Sequence, residues 1–527
     1  MTSVAPIRDE TGPSPERNGH GGSDPVSVAI RLRPPQREGL AERFAATDPG
    51  PSRELSKRPW VARLLASRKF QLAVAGPTTL VFFAIIVSGV VGTSDPTLNL
   101  TAITWYLWFC LVFVMLVVAG RAWCAMCPFG AIGDWFGRQA VFQRFQQRLR
   151  LGRPVPDWIA RYGFLLSIGT FILLTWIEEF FNIGGPGAPH DTSIMIGGIV
   201  VIAAFFFLVF ERRSYCRYIC PLTALEGTVG SIGAAAGFRT KDREVCLTCE
   251  TKDCMRGGEN GHGCPWYTWP GSAESNLTCG LCSECFKACP NDNIGLFVQK
   301  PLTSVLAPTR RRMDVAVSVL ALWGLVLFQQ VNATNSYVNL DNKLNSWMGF
   351  AHYPNPVDYL ALIAVLAAVS AVPIWVISRL FARPGVAFPA TGHRFLERNS
   401  RFRAFLLPLA YGIIPVVGAD YFARQLPKFF TFISTAIPSI GHPFGLGSTS
   451  SSLYNTSVLS GNSVVIAQLI VMAIGTAAAA WVTWRIADRD LVGISTRATP
   501  VRVASAGFAV ACGAAAAYLY VLMHAAL

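Results

Sequence analysis

Cys279-Gly-Leu-Cys282-Ser-Glu-Cys285-Phe-Lys-Ala-Cys289-Pro290 is a C-x2-C-x2-C-x3-C-P run. Three thiolates at that spacing grip three irons of a [4Fe-4S] cubane on one tight loop, and the fourth, before a proline that turns the chain away, reaches a second cubane. One run therefore predicts a partner run. Cys246-Leu-Thr-Cys249-Glu-Thr-Lys-Asp-Cys254, with Cys264-Pro265 after a stretched loop, supplies it. The crosswise rule assigns Cys246, Cys249, Cys254 and Cys289 to one cluster, and Cys279, Cys282, Cys285 and Cys264 to the other. C-x2-C pairs also bind zinc, but four cysteines in this order are not the usual arrangement of a zinc ribbon. Eight of the 14 cysteines fall between Cys246 and Cys289 in tight clusters, which points to iron and sulfur in a reducing compartment rather than to disulfides.

A second cysteine pattern is duplicated. Arg121-Ala-Trp-Cys124-Ala-Met-Cys127-Pro128 returns as Arg213-Ser-Tyr-Cys216-Arg-Tyr-Ile-Cys220-Pro221, with one more residue between the cysteines. Related by an axis along the membrane normal, such repeats bring equivalent segments together, gathering Cys124, Cys127, Cys216 and Cys220 at one depth. These four suit a third metal centre, reversible dithiols, or packing. Cys110 and Cys512 stand alone in apolar runs and read as small hydrophobes. His190, His352, His442 and His524 are all expected near the outer face, either as haem b or metal ligands or as ordinary interfacial histidines. Glu178 and Glu179 end an apolar run, where carboxylates face a cavity or proton path or are solvated.

The elements that position these residues are membrane helices. With 52% hydrophobic and 14% charged residues in 527, the chain is too apolar for an ordinary soluble enzyme. A helix needs roughly 20 apolar residues to span the bilayer, and about nine spans are expected: 72–93, 103–120, 160–181, 194–210, 314–332, 357–380, 404–422, 463–484 and 503–525. The net charge of +14 is explained by topology rather than nucleic acid. Arg138, Arg144, Arg148, Arg150 and Arg153, then Arg310 to Arg312, then Arg379 to Arg403, then Arg485 to Arg497 fall in alternate loops. The positive-inside rule puts the amino terminus and both cysteine clusters in the cytoplasm and the carboxyl terminus outside a cell (plasma) membrane. No cleavable leader is expected, since the first long apolar run follows Lys69. The expected organisation is a disordered cytoplasmic tail (1–60), duplicated transmembrane hairpins with Cys-Pro motifs (61–235), a 2[4Fe-4S] ferredoxin-like domain (236–305) and a five-helix membrane domain (306–527). Residues 53–70 read as an amphipathic stretch on the membrane surface or a plain linker. The fold class is mainly α: a polytopic transmembrane helical bundle with a small α+β ferredoxin-like cytoplasmic insert.

The two Cys-Pro pairs after transmembrane hairpins, followed by the two-cluster segment, resemble the membrane polyferredoxins of the NosR/NapH type over residues 70–300. The resemblance implies two [4Fe-4S] clusters and electron exchange between the quinone pool or cytoplasm and a partner reductase outside. Cys216 to Pro221 keeps the C-x3-C-P form of that family; Cys124 to Pro128 shortens it to C-x2-C-P. An electron-transfer subunit of a larger respiratory complex is expected, in contact with membrane lipid and with quinone or a redox partner protein. The alternative is an accessory or assembly factor that reduces a metal for maturation of a respiratory enzyme. Thiols or methionines lining a metal route would mark it; only the pairs at Cys124 to Cys220 fit, and Met195 and Met348 are isolated.

Overall fold

Long apolar runs have no choice in a bilayer but to close their own backbone hydrogen bonds, and here they do so as helices. The computed structural model describes residues 53–526 apart from 68, 93–98, 138–150, 186, 259, 309–310, 333, 351, 385–399, 442–456 and 460. Most of the expected tail, and His442, lie outside the described residues. After α1 (Pro59–Ala66), the first membrane half contains α2 (Phe70–Val91), α3 (Ile103–Ala119, opening with a π-helical turn), α4 (Trp123–Met126), α5 (Pro128–Gly137), α6 (Asp157–Phe180), α7 (Pro189–Val209) and α8 (Leu222–Gly230). A small insert follows, with β1 (Ala235–Thr240), α9 (Arg243–Thr248), α10 (Asp253–Arg256), α11 (Glu284–Ala288) and β2 (Ile294–Val298). Then come α12 (Thr303–Leu306), α13 (Met313–Val331), α14 (Asn335–Met348), α15 (Pro356–Phe381), α16 (Ser400–Gly412), α17 (Ile414–Gly441), α18 (Asn462–Ile486) and α19 (Ala498–Ala526).

Among the described residues seven helices are long and apolar enough to cross a membrane, or eight if α16 and α17, bent by 42° at their junction, make one span. The ninth expected span, 103–120, forms the shorter apolar helix α3. The protein is thus a mainly α, multi-pass membrane protein.

The duplication is visible in how each Cys-Pro break is repaired. Each short helix stops at the second cysteine of its copy, so the carbonyl just before that cysteine lacks an intrahelical donor. In the first copy Thr78, on α2, donates to Met126 O at 2.5 Å. In the second, Thr170 on α6 donates to Ile219 O at 2.7 Å and Ser167 to Cys220 O at 2.8 Å. Met126 and Ile219 each immediately precede the second cysteine of their copy. Equivalent helices therefore do equivalent work.

The second half packs against the first through α13 on α6 and α17 on α3. Trp323, Phe328 and Leu325 of α13 are almost wholly buried, and the Tyr421 ring of α17 stacks on Phe113 of α3 at 6.1 Å. Residues 53–66 dock on the insert: Ser56 Oγ accepts from Leu296 N at 3.2 Å, and Leu65 is buried. That stretch was expected on the membrane surface or as a linker, and its partner strand lies 240 residues away in sequence.

Close backbone approach fixes where the insert begins. A Cβ on Gly233 would lie 2.5 Å from Leu116 O and 2.6 Å from Gly120 N, both main chain and unable to yield cheaply. Gly233→Ala should cost about 1–3 kcal/mol, read as a lowered unfolding midpoint of the full chain in lipid nanodiscs.

Candidate functional site

Antiparallel pairing of β1 with β2, Thr240 opposite Ile294, brings the chain leading to Cys246 beside the chain leaving Cys289. Asn293 fastens the junction. Its N–H donates to Cys289 Sγ at 3.3 Å, its Nδ2 to Cys246 Sγ at 3.4 Å, and its Oδ1 accepts from Asp242 N at 2.9 Å. The cysteine loops curl through left-handed residues, Lys252 at φ 52°, Leu281 at 52° and Ser283 at 60°, which keep neighbouring thiols on the inside of each turn. Gly237, at φ +82°, lets the strand pass Cys279; a Cβ there would stand 2.8 Å from its Sγ.

The eight thiols of the insert neighbour one another. Cys254 has Cys246, Cys289, Cys249 and Cys264 near it, and Cys285 has Cys264, Cys282, Cys279 and Cys254. Burial, and then the neighbouring thiols, push Cys254 up to about 12 and Cys285 well above the ordinary thiol range. Cys249 differs: its slight burial is outweighed by hydrogen bonds from Lys252 N and Thr251, and it lies below the ordinary thiol range. Clustered sulfur donors, with N–H groups aimed at them and Thr268 N on Cys264 Sγ at 3.3 Å, fit an iron-sulfur cluster.

The repeat's four thiols also meet. Cys127 neighbours both Cys124 and Cys220, and Tyr215 neighbours Cys127, Cys216 and Cys220. Glu226, four residues after α8 begins, is 3% exposed and its Oε2 accepts from Cys124 Sγ at 2.7 Å. Burial raises the Glu226 carboxyl, while Arg121 and the Cys124 hydrogen bond work the other way. The Arg121 guanidinium reaches Cys124 Sγ at 3.5 Å, Leu277 O at 2.8 Å and the face of Trp266 at 4.4 Å, so it joins hairpin, thiols and insert. Its repeat partner Arg213 donates to Cys124 O at 3.0 Å. Among the described residues no three His, Cys, Asp or Glu side chains converge closely enough for a single metal ion; a cubane spreads its thiolates more widely.

All four repeat thiols, Glu226 and Trp266 line one end of a cavity of about 420 Å³. Its walls are Phe82, Trp105, Trp108, Phe113 and Tyr421, and its other end carries Glu178, Arg424 and Lys428. Ser167 touches Cys220, and Glu178 lies eleven residues further along α6, roughly 16 Å of helical rise. Glu178 thus takes the cavity-facing alternative. Glu179 Oε2 accepts from Asn332 Nδ2 at 2.9 Å. His190 and His352 are exposed, and His352 packs beside Phe180 at 5.5 Å. The His524 side chain is outside the described residues. Cys110 and Cys512 are buried in helices.

Glu226, Asn293, Arg121 and Trp266 were missed from sequence. Arg121 alone carried a signal, as the first residue of both repeat copies. Arg121→Met should leave the Glu226 side without its cation and cost roughly 3–5 kcal/mol; Arg121→Met with Glu226→Gln should recover most of it in thermal unfolding. Because the folded Glu226 value lies above the unfolded one, its contribution is complete below the ordinary carboxyl range and is lost as pH rises through the folded value. Glu226→Gln should therefore flatten the loss of stability on that alkaline side.

A family described as "4Fe-4S binding domain" matches residues 101–151 and 192–238, one stretch over each Cys-Pro pair. The ferredoxin-type protein NapH of Escherichia coli is 28% identical over 197 residues, 34% of this chain and 64% of that protein. The methylamine utilization ferredoxin-type protein MauN of Methylorubrum extorquens is 32% identical over 150 residues, 26% of this chain and 48% of its own. The putative electron transport protein YccM of Escherichia coli is 25% identical over 231 residues, 39% of this chain and 58% of its own. The chain thus spans between 48% and 64% of these relatives. No solved structure matches. The chain is thus a multi-pass membrane protein whose two Cys-Pro stretches match a 4Fe-4S binding domain and which is similar in part to ferredoxin-type proteins.

Proposed function

We propose that the chain relays electrons between a cytoplasmic donor or the quinone pool and a partner redox enzyme, as a subunit of a larger respiratory complex. The observation that carries this reading is continuity: eight neighbouring thiols in the insert, then Trp266 and Arg121, then four more thiols lining an apolar cavity. Cys246, Cys249, Cys254 and Cys289 are the ligands of one [4Fe-4S] cluster, and Cys279, Cys282, Cys285 and Cys264 those of the other. When bound, each cluster accepts and returns one electron with little rearrangement. Asn293 and the Thr268 N–H stabilise negative charge on Cys246, Cys289 and Cys264. Partly exposed Cys249, beside Leu247 at 52% exposure, marks the side open to a soluble partner. Buried Cys264, next to Pro265 and Trp266, marks the side facing the membrane.

Cys124, Cys127, Cys216 and Cys220 are a candidate third metal centre or redox dithiol set. A cavity of aromatic and aliphatic walls with polar ends has the chemistry of a site for a membrane-soluble quinone. The division into a tail (1–60), hairpins (61–235), ferredoxin-like domain (236–305) and five-helix domain (306–527) belongs to this proposal, as does a cytoplasmic position for the insert, supported by the basic loops. One observation favours the second reading, a metal-reducing accessory factor: Met195 lines the same cavity as the four thiols. It sits twelve residues before Phe207 on α7, about 18 Å along the helix, and so lies far from the thiols, whose end of the cavity is marked by Tyr215 against Phe207 at 6.1 Å.

Crosswise ligation is testable in anaerobically purified protein by iron content and electron paramagnetic resonance. Cys246→Ser and Cys289→Ser should remove one and the same signal, Cys264→Ser and Cys285→Ser the other, each lowering iron from about eight to about four per chain. Zinc in place of iron, or Cys289→Ser acting on the signal lost with Cys279→Ser, refutes it. Reduction of the remaining signals by a short-chain quinol in nanodiscs separates the quinone route from a purely cytoplasmic one.

A further inference from the structure

Among the described residues three carboxyls and two cations meet where the last turn of α6 approaches α17. Glu178 faces Lys428, Arg424 and Glu179, and Glu179 faces the same two cations. Asp420, one turn before Arg424 and also facing it, is 0% exposed. Its Oδ1 accepts from Gln330 Nε2 at 2.6 Å and from the Tyr520 hydroxyl at 2.7 Å, while Oδ2 has no partner. The cations spend hydrogen bonds on neutral carbonyls: Arg424 Nη1 on Gln329 O at 2.5 Å, Lys428 Nζ on Gly184 O at 3.4 Å, with Lys428 also 5.4 Å from the Trp105 ring. Among the described residues the other titratable groups near the set are the phenols Tyr337, Tyr353 and Tyr359 beside Glu179 and Tyr421 and Tyr520 beside Arg424, with His352 on Phe180. Asp341 and Asp358 face Tyr337 and Tyr353 instead.

Fully ionised, this quintet holds three negative charges against two positive ones. An uncompensated charge at membrane depth costs several kcal/mol, and a buried carboxyl avoids that cost by binding a proton. We propose that Asp420, Glu178, Glu179, Arg424 and Lys428 form an intramembrane proton-binding site that holds one exchangeable proton at neutral pH. Asp420 is its resting place, because the unpartnered Oδ2 can carry the hydrogen while Oδ1 keeps both of its donors. Glu178 gives the site access to the cavity, roughly 16 Å along α6 from the thiols. The proposal rests on the chain's spanning a membrane and not on the identity of the electron donor.

Charge balance makes the test sharp. Infrared spectra of the full-length protein in nanodiscs at pH 7, in water and in deuterium oxide, report carboxylic-acid C=O bands, assigned by subtracting variant from wild type. Asp420→Asn, Glu178→Gln and Glu179→Gln each leave two carboxylates against two cations, so each should lose one deuterium-sensitive band of the same area. Lys428→Met leaves one cation against three carboxyls and should gain a band of equal area. Tyr520→Phe, which removes one donor to Oδ1, should shift the band without removing it, and decides the matter if Asp420→Asn does not accumulate. Spectra unchanged by these substitutions overturn the proposal. Iron content and paramagnetic signals, which should stay at wild-type level in every variant, keep failure of this site distinct from failure of the electron-relay reading.

Discussion

The guanidinium of Arg121 is the contact on which the arrangement turns. It is 1% exposed, yet it bonds the Leu277 carbonyl of the insert, reaches Cys124 and covers Trp266. A cation buried this deeply is tolerated only where negative charge and acceptors converge on it. Thiols and Glu226 provide that convergence on one side, and a loop carbonyl on the other. The insert is therefore held over the hairpins by the same charge that makes the thiol pocket tenable, and Arg212 and Arg217 extend the clamp through Cys264 O, at 2.8 Å, and Trp266 O.

The duplicated hairpins are alike in backbone and unlike in chemistry. Both copies break at Cys-Pro, both borrow hydroxyls from a membrane helix, and both bury an arginine. Past the break they diverge. The position six residues after the second cysteine is Gly133 in the first copy and Glu226 in the second. Gly133 lies under the Phe207 ring, where a Cβ would come within 2.6 Å, so no carboxylate fits there. Glu226 consequently faces Cys124, Cys127 and Cys220 from the second copy, and the pocket is asymmetric even though the scaffold that forms it is repeated.

Legibility in the sequence followed the range of the interactions. Cysteine spacing is local, so the two motifs of the insert could be read directly, and one strand pairing brings the two runs side by side, where Cys254 and Cys264 also neighbour each other. Helix positions were equally legible, because an apolar run is its own signal. The shorter α3 and the bent α16–α17 pair depart from the expected nine full spans where a π turn and a Pro- and Gly-rich sequence intervene. What stayed hidden was set by partners far apart in sequence. Glu226 meets Cys124 across 102 residues, Asn293 meets Cys246 across 47, and Asp420 meets Gln330 across 90. An acid in a helix of ordinary composition carries no mark of the thiol it will face.

The role of the second membrane half follows from the wall it builds. The 4Fe-4S binding domain match lies over the two Cys-Pro stretches, but Gln329, Tyr421, Arg424, Gln425 and Lys428 from α13 and α17 line the cavity that those hairpins open. Without α17 the polar end would lose both of its cations, since Arg424 and Lys428 come from that helix. A bilayer core of about 30 Å separates the two aqueous sides, and the cavity carries polar chemistry roughly 16 Å inward from the thiols. The second half thus completes a cavity with different chemistry along its length: sulfur and one carboxyl beside the Cys-Pro breaks, and a carboxyl facing cations where α6 ends.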